Sequence, residues 1–125
     1  MEKIEKFEDI VAWRKARELV RAIYQVTQER AGFKRDFALT DQIRRAALSS
    51  MSNVAEGFAR RGDKEFANFL NIARGSVAEV QSQLYVALDL GYIDQIVFDR
   101  IHSLADETGR LLTNFVKYLR RSPDS

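Results

Sequence analysis

The chain has 125 residues, a length that suits one domain built on one core and too short for a separate catalytic domain. Hydrophobic residues make up 46% and charged residues 30%, with a single proline, which excludes the disordered and collagen-like classes and favours helices. The 20 Lys and Arg against 18 Asp and Glu leave a net charge of +2, too small to imply nucleic-acid binding unless the cations cluster, and the absence of cysteine excludes disulfides, thiolate metal sites and cysteine nucleophiles.

No apolar run approaches the roughly 20 residues of a membrane span, and the opening MEKIEKFEDI lacks the apolar core of a signal peptide, so a cytoplasmic protein is expected. A first helix is predicted over 7–30, where Phe7, Ile10, Trp13, Ala16, Leu19 and Ile23 fall at helical spacing. A second apolar row, with Val11, Val20, Val26, Ala12 and Tyr24, broadens its buried stripe to suit two neighbours or a second subunit. Ala31-Gly32-Phe33 ends that helix, and the link is expected to tuck Phe37 and Leu39 under the molecule before Thr40 or Asp41 caps the next one.

The second helix is predicted over 40–61, with Ile43, Ala47, Ser50, Val54, Gly57 and Arg61 at helical spacing, and the third over 64–90, with Phe66, Leu70, Ala73, Val77, Val80, Leu84 and Ala87. Between them Gly62 leaves one helix and Asp63 caps the other. Gly91 stops the third helix, and Asp94 caps a fourth over 95–121 whose stripe is Val97, Ile101, Leu104, Thr108, Leu111, Phe115 and Leu119. Ser122 to Ser125 should fray. The expected fold is an all-α, antiparallel up-and-down four-helix bundle filling the single domain 1–125.

The unusual chemistry lies in the second and third helices. Gly57 and Gly75 sit inside helical patterns at about 1 kcal/mol each relative to alanine, which predicts close backbone approach where the two helices cross. Gln42, Ser49, Asn53, Glu56 and Arg60 share one face, and an antiparallel register sets Arg45 near Glu79 and Asn53 near Asn71 or Arg74. That face reads either as a partly buried network fixing the register or as a solvated surface with weak ion pairs.

The run SSMSNVAEGFARR followed by EFANFLNIARGSVAE resembles the signature of the 23S rRNA intervening-sequence proteins, also known as the S23 ribosomal protein family. The matching residues are Ser49, Asn53, Val54, Ala55, Glu56, Gly57 and Arg60, then Glu65, Phe66, Phe69, Leu70, Ile72, Ala73, Gly75, Ser76 and Glu79. Where family members often have Ile-Pro between the serine and the asparagine, this chain has Ser50 and Met51, so a straighter second helix is expected. The resemblance implies an up-and-down bundle assembled into a ring, typically a homopentamer. It also implies kinship with the accessory protein of diversity-generating retroelements, which binds nucleic acid and a reverse transcriptase through a basic surface.

Two functions follow, beside an enzyme. A nucleic-acid accessory protein would bind the RNA or DNA backbone through Arg14, Lys15, Arg17 and Arg21, through Lys34, Arg35, Arg44 and Arg45, through Arg60 and Arg61, and through Lys117, Arg120 and Arg121. The interspersed acids equally suit a mixed, solubilising surface, and aromatic residues do not interleave with the arginines in sequence as a stacking surface requires. An interaction module binding itself or a co-encoded partner would use broad apolar faces that include Trp13, Tyr24 and Phe58, although Trp13 fits the protomer core as well. For catalysis, His102 with Asp99 is half of one di-iron motif, Ser49, Ser50 and Ser52 lack a histidine nearby, and Glu56 with Glu79 suits structural pairing better than acid–base work. No cofactor, metal or catalytic activity is expected.

Overall fold

The computed structural model describes residues 3–121. Its elements are a 3-10 turn Phe7–Asp9 followed by α1 (Val11–Glu29), a five-residue α2 (Ala31–Arg35), α3 (Phe37–Phe58), α4 (Asp63–Asp89) and α5 (Gln95–Arg120). The described residues are therefore all-α, with four long helices packed as a bundle. α1 packs on α3 and α5, and α4 packs on the same two. The expected fraying of Ser122 to Ser125 falls outside the described residues.

The core follows the apolar spacing. Leu19, Ile23, Ile43, Val54, Leu70, Val80, Leu84, Ile101 and Leu112 are fully buried, so each long helix contributes to one continuous cluster. Three of the buried hydroxyls are satisfied locally: Thr27 Oγ1 donates to the Ile23 carbonyl at 2.7 Å, Ser50 to Ala47 at 2.6 Å and Thr108 to Leu104 at 2.8 Å. Partners across α3 and α4 run in opposite numerical order, Gln42 with Gln83, Ser49 with Ser76 and Gly57 with Phe66.

The helix ends differ from the sequence reading in five places. α3 stops at Phe58 rather than at 61, where the chain tightens and the Arg60 N–H donates to the Gly57 carbonyl at 3.1 Å. α1 begins at Val11, because Asp9 Oδ2 accepts the Glu5 and Lys6 backbone N–H groups and closes a separate turn before it. Those bonds hold the Asp9 carboxyl below its ordinary range. α1 ends close to the expected place, with Arg30 extended, but Ala31-Gly32-Phe33 then opens α2, which buries Phe33 completely, and Phe37 is 82% exposed rather than tucked under the molecule. The cap of α3 is Asp36 rather than Thr40 or Asp41, its Oδ1 accepting the Leu39 N–H at 3.1 Å, while the Thr40 hydroxyl donates to the Phe33 carbonyl at 2.6 Å. At the α3–α4 turn Gly62, at φ 89°, precedes α4 with no side-chain cap, and Asp63 is the first helical residue, where its charge still favours the positive helix end.

The other end is as expected. Gly91, at φ 75°, turns the chain after α4 so that the Tyr92 N–H reaches the Ala87 carbonyl and the Gly91 N–H that of Leu88, and Asp94 Oδ1 then accepts the Val97 N–H at 2.9 Å.

Candidate functional site

The polar face of α3 is built around Ser49. Its hydroxyl oxygen accepts from the Ser76 hydroxyl of α4 at 2.7 Å and from Asn53 Nδ2 at 2.9 Å, and Asn53 also donates to the Ser49 carbonyl at 2.9 Å. Ser76 is 7% exposed, so this link sits where water is scarce and fixes α3 against α4. Beside it Arg45 and Glu79 line one groove between α3 and α4, as the register implies, but the ion pair of Arg45 is with Asp41 on its own helix, at 2.8 Å and i, i+4 spacing. Asn71 accepts from Arg74 within α4 at 2.9 Å, leaving Asn53 to Ser49.

Gly57 lies at the close crossing: a Cβ there would come within 2.8 Å of Phe66 Cδ1 and of Phe69 Cβ. Gly75 does not. It is exposed and a Cβ on it would meet nothing within 4 Å, so the close approach to α3 expected there does not occur. Glu56 of α3 pairs with Arg60 in the turn after it at 2.7 Å, with the Arg60 guanidinium 5.1 Å over the Phe69 ring, and Glu79 is exposed on α4.

The cations fall into three groups. Arg17 and Arg21 are exposed on α1, and Arg44 joins that flank from α3, its guanidinium 4.7 Å over the Tyr24 ring and its Nε donating to Thr27 Oγ1 at 2.9 Å. Arg17 lies 5.9 Å over Trp13. Within the described residues none of these three pairs with a carboxylate. Arg14, next along α1, turns back toward the Asp9 carbonyl at 3.4 Å. Lys15 faces the other way, 3.2 Å from both Glu107 and Glu18, and the hydrogen bond to Glu107 followed by that to Glu18 raises its pKa.

A second group gathers where the α3–α4 turn meets the end of α5. Arg61, Lys117, Arg120 and Arg121 are exposed there, beside a groove lined by Arg60, Gly62 and Tyr118. Lys34 and Arg35 form a third group in the last turn of α2. Sequence spacing missed the Arg44–Tyr24–Thr27 contact, because it joins helices 17 or more residues apart; the only local sign is that Tyr24 follows Arg17 and Arg21 at helical intervals.

Trp13 is 8% exposed and packs edge-on to Phe7 at 5.0 Å, so it belongs to the core of this chain. His102 stacks on Phe98 at 5.1 Å with Tyr85 edge-on at 5.7 Å, and no group of three or more potential metal ligands occurs among the described residues. No helix among those residues is long and apolar enough to cross a membrane.

Four long packed helices, the first two linked through the short α2 and the others by turns, define a helical-bundle protein. Residues 8–114 match the family model described as 23S rRNA-intervening sequence protein, and the chain belongs to that family. In fold it is similar to the crystal structure of a protein of unknown function from the S23 ribosomal protein family of Bacteroides thetaiotaomicron, with TM-score 0.80 and 24% identity over 86% of this chain and 99% of that one. No curated protein matches it.

Proposed function

We propose that the protein is a non-catalytic, self-associating antiparallel four-helix bundle whose α1–α3 flank holds the sugar-phosphate backbone of RNA or DNA. The observation that supports this is the meeting of Arg17, Arg21 and Arg44 on one flank without carboxylate partners among the described residues. Guanidinium groups bind phosphate oxygens with directed N–H donors, and three of them neutralise only a short stretch of backbone. The mode is independent of base sequence, since Trp13 is buried and Arg44 covers Tyr24, which removes both rings as stacking platforms.

Three contacts per protomer bind weakly, and copies joined in one assembly multiply them through effective concentration. A homopentamer is the assembly that the family resemblance suggests. The test is fluorescence anisotropy with single- and double-stranded RNA and DNA over a salt series. The expected slope of log affinity against log salt is about −2 to −3 for each engaged protomer, and replacing Arg17, Arg21 and Arg44 together with glutamine should abolish it. Absence of binding at low salt leaves the second reading, an interaction module without nucleic acid, which the exposed Ile72 and Val86 of α4 and Leu90 at its end favour.

A further inference from the structure

We propose that the groove between α4 and α5 binds a small molecule through a phosphate monoester group. This groove, about 400 Å³, lies on the side of the bundle away from the α1–α3 flank, and its floor is Val77 and Gly109. Gly109 occupies the middle of α5, where glycine weakens a helix. Packing does not require it: a Cβ there would meet only Val77 Cγ1, at 3.7 Å, an ordinary contact, and its φ is not positive. The missing side chain leaves the floor open between two arginines, Arg74 on the α4 wall and Arg110 on the α5 wall.

The charges on those walls favour an anion. Arg74 donates to the neutral Asn71 amide oxygen, at 2.9 Å, and has no carboxylate partner among the described residues. Arg110 binds Asp106 through Nη2 at 2.9 Å, which leaves the other N–H donors of its guanidinium for a ligand. Asp106 is the one carboxylate lining the groove, against two cations, and Gln81 adds a neutral donor. A phosphate monoester presents several oxygens to planar guanidinium forks from both walls, while the remaining volume takes an uncharged organic portion. Inorganic phosphate supplies the same head group without that portion.

The experiment follows backbone amide shifts of the full chain titrated with ribose 5-phosphate, inorganic phosphate and ribose. Saturable shifts at Gly109, Arg110 and Val77 with ribose 5-phosphate, weaker ones with phosphate and none with ribose are expected. Arg74→Gln and Arg110→Gln, both at exposed positions, should each weaken the response by about tenfold or more, the scale of a lost charge-assisted contact. Gly109→Leu should abolish it by filling the floor, with Arg17→Gln as a control that leaves it unchanged. Shifts absent at millimolar ligand, equal for ribose, or unaltered in both arginine variants would overturn the proposal. So would an oligonucleotide that depends on Arg74 and Arg110 while ribose 5-phosphate gives no response.

Discussion

Gly57 and Gly75 carry the same intrinsic penalty in a helix, and their surroundings give the same substitution opposite signs. At Gly75 an added methyl meets nothing within 4 Å, so Gly75→Ala should stabilise the protomer by about 0.5–1 kcal/mol through helix propensity alone. At Gly57 the methyl would lie 2.8 Å from Phe69 Cβ, an atom fixed to its backbone, and 3.3 Å from the Phe66 carbonyl oxygen. Overpacking of this kind costs about 1–3 kcal/mol and outweighs the propensity gain, so Gly57→Ala should destabilise, and Gly57→Leu more so. Urea unfolding at low protein concentration measures both, and a shift of the same sign in the two alanine variants would refute the distinction. The sequence exposed both glycines as exceptions to helical composition, yet it could not separate them: helical spacing tells which residues share a face, not how near the next helix lies. Ser49 and Ser76 show the same boundary, since both were legible as residues of the matching signature while the hydroxyl-to-hydroxyl link depends on a register that only packing sets.

At the scale of elements, the corner joining α1, α2 and α3 is locked by the turn that follows α4. The Tyr92 ring lies 5.4 Å from Phe33 and covers Gly32, where a Cβ would run into the ring, and its hydroxyl donates to Asp36 Oδ2 at 2.8 Å. Asp36 thus caps α3 with one oxygen and holds the distant turn with the other. Long apolar repeats made the four long helices readable, whereas α2 was not, because five residues give too short a period and its one anchor, Phe33, is buried by contacts remote in sequence. The hydrogen bond to Asp36, then burial and the negative charge of Asp36, raise the Tyr92 pKa above 10.0, with Arg35 opposing. The neutral phenol is the bound form, so its contribution to stability is whole below the unfolded value and is lost as pH rises through the higher folded one. Wild type should therefore be more stable than Tyr92→Phe at neutral pH, and the gap should close in strongly alkaline solution. A gap that stays constant across that range, measured by thermal unfolding, would show that the bond to Asp36 is not its source.

For the whole molecule, the feature that bears most on assembly is the outward side of α4. Ile72, Val86 and Leu90 are 53%, 44% and 56% exposed, and with the bare backbone at Gly75 and the exposed Glu79 they lie along the edge of the helix next to the polar face of α3. Apolar area left in water at several points along one helix is unfavourable, and glycine at its middle leaves room for another helix to approach closely. If copies of the chain join there, further negative charge at the middle of that side is the most damaging change, because it must be buried close to Glu79 while the neighbouring Arg45 is already paired with Asp41. Ile72→Asp and Gly75→Glu should each bring the mass found by light scattering down to that of a single protomer while helicity by circular dichroism stays the same. Ile96→Asp, on α5 at 80% exposure and away from this side, should leave the mass as in wild type. The same two variants should lower RNA or DNA affinity even with Arg17, Arg21 and Arg44 intact, since a lone flank of three cations forfeits the gain from linked copies. A wild-type protein that already runs as a protomer, or an assembly indifferent to both charges, would place self-association elsewhere or remove it, and the arginine flank would then have to bind with the strength of one copy.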